Sequence, residues 1–223
     1  MGRDDWYRNP HWDSETEAMF RAKLSRSRTS RPQYLRIQAS YLTEKFPETA
    51  IQLIEEYFDT GDEFDVPNAL CVRAEANLTL GRKAEAVSAY RQALEWEEAH
   101  PRHISTARID LPKLVAADRL ALEFDYVLDI LTTRFSPMDH QFPSTRYFWN
   151  GSCALIFYEQ GQLVEAREFA ERALRAAMET ESPFRYHRTV GVVRDTSDDF
   201  GQRIKRIAQP SKVRSLLRLL SGR

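Results

Sequence analysis

Residues 67–100 read Pro-Asn-Ala-Leu-Cys-Val-Arg-Ala-Glu-Ala-Asn-Leu-Thr-Leu-Gly-Arg-Lys-Ala-Glu-Ala-Val-Ser-Ala-Tyr-Arg-Gln-Ala-Leu-Glu-Trp-Glu-Glu-Ala-His. The pattern predicts two helices joined by a tight turn at Gly81. Small residues stand where two helices must approach closely: Ala74 on the first, Ala86 and Ala93 on the second. Tyr90 is the large aromatic residue between the last two. The same logic returns from Tyr147 to Thr180, with Ala154, Gly161, Ala166, Ala170 and Ala173. Two hairpins with small residues in matching slots are what stacked repeats need, because each buries its apolar face only against its neighbours.

These residues resemble a tetratricopeptide (TPR) repeat, whose period is about 34 residues. The family pattern asks for small residues at the positions of Ala74, Ala86 and Ala93, Gly at the turn, and an aromatic at Tyr90. The Trp and Tyr of its first helix are absent, with Leu70 and Asn77 in their places, and the closing proline arrives late, at Pro101. The resemblance implies a helical-hairpin solenoid that binds protein or peptide ligands on a concave face lined by first helices. It carries that face onto Leu35, Ala39, Leu42 and Thr43, then onto Asn68, Cys71, Glu75, Leu78 and Thr79. In the last repeat it falls on Phe148, Leu155, Tyr158 and Glu159. Leu35, Leu78 and Leu155 are expected to pack on neighbouring helices instead. The partner-binding set is therefore Asn68, Glu75, Thr79, Phe148, Tyr158 and Glu159. The subtype that clamps acidic chaperone tails is not indicated, since Leu35, Ala39 and Val72 replace its Lys and Asn residues.

Composition fits a globular protein, with 42% hydrophobic and 29% charged residues. The uncharged run Tyr147–Tyr158 is too short for a bilayer, which needs about 20 residues. No apolar leader or acylation pattern opens the chain, so the expectation is a cytoplasmic protein with no membrane span. Cys71 and Cys153 are expected to be small buried hydrophobes rather than a disulfide framework. The net charge of −1 hides an asymmetry: residues 31–100 carry 7 basic and 13 acidic side chains, residues 182–223 carry 10 and 3.

Taken in order, residues 1–30 form a flanking segment. Trp6, Tyr7 and Trp12 dock, and Asp13 or Ser14 caps a helix reaching about Arg26. Residues 31–181 form the repeat domain. Its degenerate first repeat pairs a helix over Gln33–Thr43 with one over Pro47–Phe58, placing Ala50, Ile54 and Tyr57 in the small and aromatic slots. A divergent hairpin follows, Asp110–Leu122 then Asp125–Phe135, with Leu111, Leu114, Val115 and Leu122 on one side. Residues 182–223 form a basic extension expected to pack on the last repeat, with the helix over Ser211–Leu220 covering its apolar side. Phe184–Val193 is expected to be extended because of its β-branched cluster, and Asp198–Ala208 and Ser211–Leu220 to be helical.

Catalytic motifs are absent: no P-loop, no paired-glycine fingerprint, no Gly-x-Ser-x-Gly elbow. His11, His100, His103, His140 and His187 are scattered, and neither a metal nor a cofactor is expected. The adjacent pairs Glu55–Glu56 and Glu97–Glu98 splay on a helix and are expected to face solvent. The basic residues Arg203, Lys205, Arg206, Lys212, Arg214 and Arg218 permit a cap on the last repeat, a nucleic-acid or anionic-surface contact, or a docking segment. The expectation is an all-α, TPR-like helical-hairpin solenoid with an N-terminal flanking helix and a basic C-terminal helical tail. It would act as a non-enzymatic adaptor or scaffold, with a nucleic-acid-associated factor working through residues 182–223 as the alternative.

Overall fold

The computed structural model describes residues 5–135 and 142–209. The described residues form ten α-helices, short 3₁₀ and π turns, and no strand. The chain divides into two compact units, Met1–Arg108 and Ile109–Arg223.

Unit 1 opens with a 3₁₀ turn, Asp5–Tyr7, and then α1 (Ser14–Leu24), α2 (Arg31–Leu42), α3 (Pro47–Asp59), α4 (Val66–Thr79) and α5 (Lys83–Ala99). Each start has a local cause. The Asp13 carboxylate accepts a hydrogen bond from the Thr16 N–H at 2.8 Å and so caps α1. Prolines occupy the first turn of α2, α3 and α4, where a missing N–H costs nothing. α2 pairs with α3 and α4 with α5, and α3 packs on α4.

Gly81 makes the α4–α5 turn at φ +74°, a left-handed conformation that costs other residues about 1–2 kcal/mol. Ala50, Ala74, Ala86 and Ala93 are fully buried between the helices, and Tyr90 is 2% exposed. Cys71 is buried and free.

The N-terminal segment closes over α2 and α3. Tyr34 takes the rings of Trp6 at 4.8 Å and Tyr7 at 4.4 Å. The buried Gln38 amide donates to the Asn9 carbonyl at 2.7 Å and accepts from the Asn9 N–H at 3.2 Å. Arg21 of α1 pairs with Glu56 of α3 at 2.6 Å.

One expectation is corrected in this unit. Glu97 does not face solvent: it is 1% exposed. Its carboxylate accepts from the Ser105 N–H at 2.7 Å, the Ser105 hydroxyl at 2.5 Å and Arg108 Nε at 2.5 Å. The pair Glu97–Glu98 splays as expected, but one member points into the loop that follows α5, and only Glu98 is exposed.

In unit 2, α6 (Ala107–Asp118) is followed by a 3₁₀ turn (Ala121–Glu123), α7 (Phe124–Asp129), a π-helical turn (Ile130–Arg134), α8 (Pro143–Glu159), α9 (Leu163–Ala177) and α10 (Asp199–Ala208). α8 and α9 form the second clear hairpin. Gly161 turns it at φ +79°, and Ala154, Ala166, Ala170 and Ala173 are fully buried. Cys153 is also fully buried, and burial pushes its thiol up to about 12.

The divergent hairpin is less regular than its sequence promises. The expected helix Asp125–Phe135 breaks after Asp129, and the Thr132 hydroxyl donates to the Leu128 carbonyl at 2.7 Å. Such back-bonding competes with a regular helix. Leu111 and Val115 are buried, but Leu122 is 99% exposed, on the 3₁₀ turn rather than the helix face.

Phe184–Val193 forms successive turns, not an extended strand. His187 N–H donates to the Phe184 carbonyl at 3.1 Å and Val190 N–H to the His187 carbonyl at 3.0 Å. β-branched residues favour a strand only where neighbouring strands pair with them; here none does. The segment Ser211–Leu220, expected to be helical, lies outside the described residues.

Candidate protein-binding faces

In unit 1 the candidate residues lie along one stripe of α4, seven and four residues apart. Glu75 and Thr79 are exposed and Asn68 is half-buried. Asn68 and Thr79 are tied locally: Asn68 Nδ2 donates to the Asp65 carboxylate at 2.7 Å, and the Thr79 hydroxyl to the Glu75 carbonyl at 3.3 Å. Of the corresponding positions in the first repeat, Thr43 is half-buried and the rest are closed. Leu35, Ala39 and Leu42 are all fully buried, as is Gln38 beside them.

In unit 2 the same face is occupied by the chain itself. α10 packs on α8 and α9. Its Phe200 ring lies 5.9 Å from Tyr147 and 5.8 Å from Phe148. A Cβ added to Gly151 would stand 2.7 Å from Ile204 Cδ1 and 2.8 Å from Phe200 Cε1. Only a glycine admits that approach. Lys113 lies 4.3 Å over the Phe148 ring. Glu159, near the C-terminus of α8, where a negative charge is unfavourable, accepts from Arg119 at 2.8 Å and Arg203 at 3.2 Å. Leu155 is 1% exposed and Tyr158 is 46% exposed. Of Phe148, Tyr158 and Glu159, Tyr158 and Glu159 are exposed and Phe148 is half-buried, while Phe148 and Glu159 both contact α10.

The basic candidates divide in the same way. Arg203 is 7% exposed. It donates to the carbonyls of Ala116 at 3.3 Å and Ala117 at 2.9 Å, so its charge serves the C-terminal end of α6 as well as Glu159. Lys205 Nζ donates to the Thr196 carbonyl at 2.9 Å. Arg206 is exposed, within 3.9 Å of Asp199. Lys212, Arg214 and Arg218 lie outside the described residues.

The extension is expected to pack on the last repeat through Ser211–Leu220; among the described residues that contact is made by α10 instead. A signal existed: Phe200, Ile204 and Ile207 recur at helical spacing behind the capping residue Asp198, whose side chain accepts from the Gly201 N–H at 2.8 Å. Nothing in that spacing names α8 as the surface it covers.

Chemical groups of other kinds are not assembled. His100 stacks on Trp96 at 4.3 Å, and His103 Nδ1 lies 2.8 Å from the Phe64 carbonyl. No group of three or more His, Cys, Asp or Glu side chains among the described residues is placed to hold a metal ion. No helix among them is long and apolar enough to cross a membrane.

The family model described as tetratricopeptide repeat matches residues 67–100, the hairpin α4–α5. No curated protein and no solved structure matches the chain. With the all-helical architecture of the described residues and the recurrence of the same slots in α8–α9, the match supports a TPR-like repeat protein.

Proposed function

We propose that the chain is a non-enzymatic interaction module, an adaptor or scaffold of the cytoplasm, that binds a partner protein or peptide on the α4 face carrying Asn68, Glu75 and Thr79. TPR repeats serve protein–protein interaction in general, and one repeat is matched here. The observation that carries the finer reading is the contrast between the two first-helix faces. On α8, Gly151 and Phe148 lie against α10 and Glu159 pairs with its Arg203, while the face of α4 keeps Glu75 and Thr79 exposed within its unit.

The alternative, a nucleic-acid contact through residues 182–223, loses two of its cations to internal duties, since Arg203 and Lys205 both bond backbone carbonyls. It gains no support from the described part of the extension.

The test compares affinity capture from the native host by the parent chain and by a Glu75→Lys/Thr79→Arg variant, read by quantitative mass spectrometry. Both substitutions fall on an exposed stripe and should leave the melting curve within about 0.5 kcal/mol of the parent. The proposal expects a defined set of captured proteins to fall at least tenfold with the folded variant. Equal capture by both would remove the α4 face from consideration.

A further inference from the structure

The hairpins α4–α5 and α8–α9 carry the same groove at the same register. In unit 1 a groove of about 790 Å³ is lined by Val66, Leu70, Gln92, Glu95, Trp96 and Ala99, among others. In unit 2 a groove of about 670 Å³ is lined by Arg146, Asn150, Arg172, Arg175, Ala176 and Glu179. Each of these six positions follows its counterpart by 80 residues, the offset that also relates Ala74 to Ala154 and Ala86 to Ala166. The repeat geometry therefore builds the groove, and the side chains in it are free to differ.

They differ in sign. The unit 1 groove carries Glu55, Asp62, Glu63 and Glu95 against Arg73 and His100. The unit 2 groove carries Arg146, Arg172 and Arg175 against Glu179 alone. Arg146 pairs with Glu179 at 2.5 Å through one terminal nitrogen, while its Nε is buried without a hydrogen-bond partner. Arg172 lies 5.0 Å over the Phe169 ring and is 3.8 Å from Glu168, both partners half-exposed. Arg175 is exposed and makes no ion pair among the described residues. Trp149, 6% exposed, and Phe169 add an apolar wall.

We infer that the groove formed by α8, α9 and the π-helical turn is a docking site for an acidic peptide segment of a partner protein. Its carboxylates would be received by Arg146, Arg172 and Arg175, and an apolar side chain would rest against Phe169 and Trp149. Guanidinium groups suit carboxylates because their donors match the two oxygens. The field around the groove argues for a short peptide over a nucleic-acid strand. Residues 147–181 carry 6 acidic and 3 basic side chains, and all three basic ones lie on α9. A polyanion extending past the groove would meet Glu165, Glu168 and Glu171 on the same helix, Glu168 standing 3.8 Å from Arg172. This surface is not the one α10 covers: Arg146, Trp149 and Asn150 fall on the opposite side of α8 from Phe148, Gly151 and Glu159.

The experiment is fluorescence anisotropy of a fluorescein-labelled, Glu-rich dodecapeptide with one central Phe, titrated with the full chain at low and at physiological salt. The expected result is saturable binding that weakens as salt rises and falls at least tenfold in an Arg172→Glu/Arg175→Glu variant whose circular dichroism melt matches the parent. A Lys-for-Glu peptide should not bind. No saturable binding, or binding indifferent to the double substitution, overturns the inference. Equal displacement of the peptide by a twelve-nucleotide single-stranded DNA, lost in the same variant, replaces the acidic peptide with nucleic acid as the occupant.

Discussion

Glu97 anchors its unit through a carboxylate that is almost wholly removed from water yet accepts from Ser105 twice and from Arg108 once. A buried charge is tolerated only when its oxygens are satisfied, and removing one side of such a pair leaves the other uncompensated, at a cost of about 3–5 kcal/mol. Glu97→Ala should therefore lower the unfolding free energy by that amount, measured by urea titration, whereas Glu95→Ala on the exposed side of the same helix should move it by less than about 0.5 kcal/mol. A Glu97→Ala variant that unfolded like the parent would mean that the loop after α5 is held by other contacts. The sequence could not separate Glu97 from Glu98. The partners of Glu97 stand eight and eleven residues downstream, in a connection with no periodicity to show where it turns back. The alanines and Gly81 were legible for the opposite reason, because close helix approach and a positive φ each admit few side chains.

α10 ends the described chain and decides which face of unit 2 is available. Its start was readable from Asp198, whose side chain caps Gly201. Its destination was not, since Phe200 and Ile204 would fit any apolar surface of suitable width. The match is made at Gly151, where the absence of a Cβ lets Ile204 and Phe200 approach. Phe200 is 5% exposed, and cutting such a ring back to Ala costs about 3–5 kcal/mol. A Phe200→Ala chain should lose about that much stability in urea unfolding and bind more of a dye that reports exposed apolar surface. Undiminished stability would show that α10 rests on α8 without closing it. The irregular segment Ala121–Arg134 teaches the reverse lesson. Its apolar residues alternate as a helix requires, but Thr132 bonds back to Leu128 and the last turn widens to a π-helical form. Apolar spacing records burial, and it is blind to a side chain that competes for the backbone.

Each unit carries its own core and its own cover. In unit 1 the rings of Trp6, Tyr7 and Tyr34 close α2; in unit 2 the rings of Phe200, Tyr147 and Phe148 close α8. Solenoid ends need such caps, since a terminal repeat exposes the face that an internal one would bury. The matched repeat, residues 67–100, lies in unit 1 and its second copy, residues 147–180, in unit 2. The proposed repeat domain 31–181 thus runs through both units. The units also differ in charge: residues 1–108 hold 15 basic and 18 acidic side chains, residues 109–223 hold 17 and 15. If each unit is stabilised from within, each should fold alone, because about 110 residues can bury over half of the surface their unfolded chain exposes. Two overlapping fragments keep the contacts intact: residues 1–108 retain the Glu97–Arg108 pair, and residues 104–223 retain the whole of α6. Both should give helical circular dichroism spectra with a cooperative thermal transition. A fragment that is unfolded at 25 °C while the full chain melts cooperatively would show that its unit draws its stability from the other half of the chain, and the caps at α2 and α8 would then be insufficient covers rather than true ends.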